Sequence, residues 1–389
     1  MWYKLQVKST TFKSKQTGGL SMKQLKKQTC IIFGIVLAFC MTACAQGGST
    51  TTEGVTAAVT SAQNSETSIA EILNGIPHTE VEIKYPAIIE VNEEIFANEV
   101  YKIGYANWND ENSISIIVRD SIIDACNYYG VEYMIFDNKQ DANQAMTNCD
   151  TAIQADVDYY LNFNQDESIN AAIAAKLEAA GIPMISIQTK ARVGIDPEYH
   201  IDNRKFGTIG GELLVKEFKE RWPNEQPKLF VAGHPESGVN FIQRAEGCKE
   251  AVIAAMPDVE ITEISTDGDP EVTRQRTADF LTANPEGKIM MWCHIDQNTM
   301  GMLAAVRAAG REEDVIITSC GANPVVFEEL KKENSPILGT VAQFSERFGW
   351  DLLPMVIKEL NDGTKPPMVT MPPMDIITKD NLSTYYPDY

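Results

Sequence analysis

From residue 100 onward the chain repeats one pattern: a short apolar run, a stretch with helical spacing, then another apolar run. Tyr101–Ala106 reads as a strand, and Ser113–Tyr129 places Ile114, Ile117, Val118, Ile122 and Cys126 on one helical stripe that Gly130 ends at the C′ position. Val131–Phe136 is the next strand and Val157–Phe163 follows another helix. Ser168 is placed to cap an Ala-rich helix that stops at Gly181, before a strand at Pro183–Ile187. After a break the alternation resumes, with helices over 207–222, 240–256, 272–283 and 298–309 and strands at Lys228–Ala232, Val259–Ile264, Ile289–Cys293 and Val315–Ser319. Repeated β-α-β units require parallel sheets with helices on both faces. Two such runs predict an α/β protein of two similar, doubly wound domains.

The first hundred residues follow other rules. Met22-Lys-Gln-Leu-Lys-Lys is cationic, Cys30–Met41 is apolar but too short to span a bilayer stably, and Thr42-Ala43-Cys44 sets small residues directly before a cysteine. That order reads as an export signal over residues 1–43, with Met22 a serviceable second start, and its end looks like a bacterial lipobox carrying Met41 where Leu is usual. Cys44 is then expected to be lipidated and to tether the protein to the outer face of the cell membrane. A transmembrane anchor is the rival reading, but the run is short and no second hydrophobic segment follows. Ala45 to Ser68 is mostly Gly, Ser, Thr, Ala, Gln and Glu, a composition that cannot bury enough apolar surface to fold and reads as a flexible leash. Residues 69–99 contain a helix-like piece at Ile69–Leu73 and extended pieces near Val81–Ile83 and Ile88–Val91, and stay unassigned with the rest of 44–99.

Charge and cysteine usage narrow the function. The chain of 389 residues carries −21, and its first 43 hold seven lysines and no acid, so the remainder carries −28. So acidic a surface is a poor nucleic-acid binder. Cys126, Cys149, Cys248, Cys293 and Cys320 are an odd, scattered set without a C-x-x-C pair, which argues against a zinc site or a disulfide framework and reads as small buried hydrophobes. There is no G-x-S-x-G, H-E-x-x-H, Walker or dinucleotide loop, and Gly207-Thr-Ile-Gly-Gly211 falls inside a helix. Neither catalysis nor a cofactor is expected.

Several segments carry a resemblance in their order and spacing: Gly130-Val-Glu-Tyr-Met-Ile-Phe-Asp137, Ala180-Gly-Ile-Pro-Met-Ile185, His200-Ile-Asp-Asn203 followed by Gly207, Arg244-Ala-Glu-Gly247, Asp296 with Gly301, and Gly339-Thr-Val-Ala-Gln343. Together they resemble the type I periplasmic-binding-protein family, the sugar receptors of ABC importers related to ribose- and galactose-binding proteins. The resemblance implies two Rossmann-like lobes joined by a three-strand hinge, here 100–202 with 344–372 and 203–343 with 373–389, and a ligand cleft at the carboxyl ends of both sheets. It also implies a monomer that works with an ABC permease.

A sugar requires an aromatic face for its C–H side and planar polar groups for its hydroxyl rim, since buried hydroxyls left unpaired are costly. The loop Asn107-Trp108-Asn109-Asp110-Glu111-Asn112 offers both, and Asn107, Trp108 and Asn112 are its candidates, the other reading being a surface turn with Trp108 docked on the core. The resemblance adds Gln343 and Asp202 by motif. It fails elsewhere: the Asp-Arg of ribose receptors is Gln188-Thr189, their cleft arginine aligns with Ile242 beside Asn240, Gln243 and Arg244, their asparagine is Ile295, and their Gly-Phe-Asp is Ser319-Cys320-Gly321. A bidentate Arg or Asp has no equivalent in Ile or Cys, so the ligand is not expected to be simply ribose. Gln188 takes the vacated place, and His234 (in a His-Pro-Glu loop like the His-Pro-Asp of galactose receptors) and His294 complete the expected ligand set. The reading is a lipid-anchored receptor of an ABC importer for a small sugar or sugar-like ligand. A sensor feeding a chemoreceptor or a two-component kinase is the alternative role; a nucleoside or furanosyl signal is the alternative ligand.

Overall fold

The computed structural model describes residues 94–389 together with the three-residue strand His78–Glu80. The expected signal, Cys44, the leash and most of 69–93 lie outside the described residues.

Helix starts follow local chemistry. Asn112, Asp141, Asp166, Asp202, Asp269 and Asn323 each accept a backbone N–H of the next turn through a side-chain oxygen. Gly130, Gly181 and Gly363 end helices in the left-handed conformation that a Cβ disfavours. The helices are α1 (Ser113–Tyr129), α2 (Ala142–Gln154), α3 (Glu167–Ala180), α4 (Asn203–Arg221), α5 (Val239–Ala255), α6 (Pro270–Ala283), α7 (Asp296–Ala308), α8 (Pro324–Leu330), α9 (Phe348–Asp362) and α10 (Leu382–Tyr385). Two boundaries differ from the sequence expectation for the same reason. Asp166 rather than Ser168 caps α3, and Asp202 starts α4 four residues early, because a carboxylate one turn upstream of the apolar stripe was available in each case.

The strands, in chain order, are β1 (His78–Glu80), β2 (Lys102–Asn107), β3 (Glu132–Asp137), β4 (Tyr159–Asn162), β5 (Met184–Ile187), β6 (Glu198–Tyr199), β7 (Lys228–Gly233), β8 (Glu260–Ser265), β9 (Ile289–Cys293), β10 (Val315–Cys320), β11 (Ile337–Ala342), β12 (Val369–Met371) and β13 (Asp375–Thr378). They form a seven-stranded sheet, β1-β12-β6-β5-β4-β2-β3, and a six-stranded sheet, β13-β11-β10-β9-β7-β8. Every pairing is parallel except β11 with β13. The protein is thus an α/β pair of doubly wound lobes. The chain passes between the sheets after β6, after β11 and between β12 and β13, which makes the three-strand hinge.

Each sheet is buried on both faces. In the first lobe Ile103, Tyr105, Val118, Ile122 and Tyr159 pack with the apolar face of α9, while Ala106, Cys149, Tyr160, Ile173 and Leu177 fill the opposite side. The buried side of α1 runs through Val118, Ile122, Ala125, Cys126 and Tyr129, so Ile114, at the end of the expected stripe, is free to face the other lobe. In the second lobe Trp292 is fully buried against α4 and α5, whose crossing depends on glycine. A Cβ on Gly207 would lie 1.8 Å from the Arg244 carbonyl oxygen, and one on Gly247 would lie 1.9 Å from that of Arg204. The five described cysteines are buried and unpaired, with burial raising their thiol pKa values.

Candidate functional site

In each sheet the chain leaves one strand for a neighbour on one side and returns to the other: β2 between β3 and β4, and β7 between β8 and β9. Loops at the carboxyl ends of such strands splay apart and leave a crevice. A cleft enclosing about 540 Å³ of non-atom space, part of it open to solvent, lies there, with walls from both lobes.

The first lobe contributes Trp108 and Asn112 after β2, Ile114 at the start of α1, Phe163 and Gln165 after β4, and Gln188 after β5. The second contributes Asn240, Phe241 and Arg244 from α5 and Ile295, Asp296 and Gln297 from the start of α7. Cys320, Gly321 and Asn323 follow from the end of β10, and Gln343 sits on the hinge after β11. Seven amide side chains and three aromatic rings thus face one space. Gln188 adopts φ 64°, a left-handed conformation uncommon outside glycine, which turns its side chain inward. Among the described residues Gln188 Nε2 and Gln343 Oε1 are buried without a partner, a donor and an acceptor left for something in the cleft.

The lobes touch across this space. Asn240 Nδ2 donates to Gln165 Oε1 at 2.8 Å and to Thr189 Oγ1 at 3.2 Å. On the other rim Asn323 Nδ2 donates to Ser113 Oγ at 3.0 Å, and Gln297 Nε2 donates to the same hydroxyl. The cleft is therefore closed.

Of the eight residues expected from sequence, Trp108, Asn112, Gln188 and Gln343 line the cleft. Asn107 does not reach it: fully buried, it accepts from Tyr105 O–H and donates to Asn109 O and Asp110 Oδ1, bracing the loop that presents Trp108. Asp202 is spent as the cap of α4, accepting from Lys205 N–H at 2.9 Å. His234 and His294 sit behind the wall, their ring centroids 5.9 and 5.6 Å from that of Phe241. His294 falls short because its ring turns back to the Ala232 carbonyl, and Ile295–Gln297 take the cleft-facing places as α7 begins. Burial lowers the pKa of both histidines, that of His294 to about 3, so two neutral rings buttress Phe241.

Phe163, Gln165 and Asp296 were not foreseen as wall residues, although each follows a parallel strand at its carboxyl end, where the topology directs loops to the crevice. Asp296 is fully buried and accepts from Thr340 Oγ1 at 2.7 Å, from Asn323 N–H at 2.6 Å and from Ser319 Oγ. Burial raises its pKa to about 7 against the lowering effect of these donors.

A second, larger space of about 800 Å³ shares Gln188 and Asn240 with the first. Its charged residues are already engaged, Arg192 with Glu178 and Asp196, and His200 with Glu198. The smaller cleft, which lies at the carboxyl ends of both sheets, is the better candidate site.

Residues 103–365 match the family model described as the periplasmic binding protein domain, and the chain belongs to that family. It is 22% identical over 250 residues to a ribose import binding protein of Bacillus subtilis (strain 168), covering 64% of this chain and 78% of that protein. Its fold is similar to that of an ABC transporter periplasmic solute binding protein from Actinobacillus succinogenes 130z with bound D-allose, with TM-score 0.65, 20% identity and coverage of 73% of this chain and 100% of that one. It is likewise similar to a Caulobacter myo-inositol binding protein bound to myo-inositol, with TM-score 0.64, 19% identity and coverage of 75% and 98%.

Proposed function

We propose that this protein is the extracytoplasmic, lipid-anchored substrate-binding protein of an ABC importer, capturing a small sugar or sugar-like ligand between its lobes and delivering it to a permease. The observation that carries the reading is the cleft wall: amides from both lobes, two of them with an unpartnered polar atom, around Trp108, Phe163 and Phe241. Amide groups pair with hydroxyls as donors and acceptors at once, and ring faces cover sugar C–H surfaces. The relatives that bind ribose, allose and inositol support a polyhydroxylated ligand. The ligand drives closure only through its extra affinity for the closed form, and the closed pair of lobes is the surface offered to the permease. The lipid anchor rests on Cys44 and the preceding signal.

A nucleoside or furanosyl signal is the second reading, favoured by one feature: aromatic rings face the cleft from both lobes, Trp108 and Phe163 from the first and Phe241 from the second. Thermal denaturation against pentoses, hexoses, inositols, disaccharides, nucleosides and furanosyl diesters separates the two, because a ligand of the native state alone raises the midpoint. A selective rise with one sugar or inositol supports the first reading; a rise with nucleosides alone replaces it. A role as sensor rather than transporter is decided by which membrane partner, permease or kinase, co-purifies with the closed form.

A further inference from the structure

We infer that the cleft takes a sugar acid, a monosaccharide whose carboxylate is received by Arg244. The inference rests on the sugar-binding reading and adds a charge to it.

Arg244 is 7% exposed, so its guanidinium is held in the wall of the cleft and out of bulk water. Its Nε donates to Asn203 Oδ1 at 2.7 Å, and its plane is fixed between Phe206 and Phe241, whose ring centroids lie 4.5 and 5.2 Å from the guanidinium carbon. These contacts satisfy one of five N–H donors. Among the described residues the two terminal nitrogens have no protein acceptor and no carboxylate pairs with the group; the titratable groups that interact with it are the Cys320 thiol and the neutral His294 ring. Burial accordingly lowers its pKa with no carboxylate to offset the effect.

The rest of the wall does not supply the missing anion. The first lobe brings neutral groups alone: Trp108, Asn112, Ile114, Phe163, Gln165 and Gln188. Asp296 is the one acidic side chain on the wall, and its oxygens are taken up by Ser319, Thr340 and the Asn323 amide. A buried cation held in place without a counter-ion is strongly unfavourable, and the ligand is the remaining source of one. With Nε occupied, the open edge of the guanidinium is the pair of terminal nitrogens, which matches the two oxygens of a carboxylate. A hydroxyl brings no charge to that edge. The dianionic phosphate of a sugar phosphate would meet a single cation with Asp296 on the same wall, so the carboxylate is the better match.

The test titrates the full-length protein calorimetrically with a panel of hexuronates, pentonates and hexonates, each beside its neutral parent sugar and, for the uronates, its methyl ester. The expected result is an acid that binds at least about tenfold more tightly than its neutral parent and ester, with Arg244→Gln abolishing the difference and Arg244→Lys restoring part of it. The comparison of acid and ester on the unmodified protein decides the matter even if the variants do not fold. A neutral sugar that binds as well as its acid overturns the inference and leaves the sugar-binding reading standing. Binding by no sugar, neutral or acidic, overturns both.

Discussion

Asn240 of the second lobe and Gln165 of the first are joined directly across the cleft, Nδ2 to Oε1 at 2.8 Å. Asn240, on the cleft wall, thus serves as a latch between the lobes. The same Nδ2 reaches Thr189, one of the two residues that replace the family's Asp-Arg. Asn240 thus ties two first-lobe side chains, Gln165 and Thr189, to the second lobe.

Removing the latch should open the protein. Each hydrogen bond of this kind contributes about 1 kcal/mol net, so losing the two that Asn240 makes across the lobes should move the closed-to-open ratio roughly thirtyfold toward open in Asn240→Ala. Small-angle scattering of the protein without ligand should show a larger radius of gyration for the variant. An unchanged radius would mean that the Ser113 rim alone holds the lobes.

The α4–α5 crossing makes a prediction of stability. A methyl group at Gly207 meets the Arg244 backbone carbonyl, which no side-chain rotation relieves. Gly207→Ala should cost about 1–3 kcal/mol or more and lower the melting midpoint by several degrees. It should also displace Arg244 from the cleft wall, so whatever ligand the protein binds should bind more weakly even below the new midpoint. Chemical denaturation and ligand titration of the one variant read the two effects separately.

Two buried groups give opposed pH windows. His294 has its pKa lowered by burial from 6.5 to about 3, so the unfolded chain takes up its proton first. Its contribution to stability is full above 6.5 and is lost as the pH falls toward 3. Asp296 has its pKa raised by burial from 3.8 to about 7, so its contribution is full below 3.8 and is lost as the pH rises through 7. The stability difference between wild type and His294→Asn should therefore shrink with falling pH, and that between wild type and Asp296→Asn should shrink with rising pH. Parallel curves for a variant and the wild type across its window would remove that group from the account.

Cys44→Ala should release the protein from the membrane fraction, as read by fractionation of cells that make it. Retention in the membrane would contradict the lipid anchor.

Much of the fold was legible because parallel strands buried on both faces are continuous apolar runs: β9 has the expected bounds, and β10 starts where expected and runs one residue further, to Cys320. The end of the chain was harder to read. β12 and β13 are three and four residues long, and α9 carries Pro354 inside it, so neither periodicity nor a breaker marked them correctly. The wall of the candidate cleft was legible where a side chain had one available role: Trp108 and Gln343 line it as expected. It was misleading where a polar residue had a local task that sequence position does not reveal: Asp202 caps a helix, Asn107 braces a loop and His294 turns back to Ala232. Arg244 was set beside the cleft by its motif, but its lack of an anionic partner depends on what every other element brings to the same wall.

A single ligand held between the lobes touches both, and calorimetric titration of wall variants from each lobe reads that contact. The sugar that raises the melting midpoint most is titrated into wild type, Trp108→Ala from the first lobe and Phe241→Ala from the second. The account predicts one site per chain in the wild type and affinity at least about tenfold weaker in each variant, since each ring stack and its buried area are lost. Unchanged affinity in both variants would place the ligand outside this cleft.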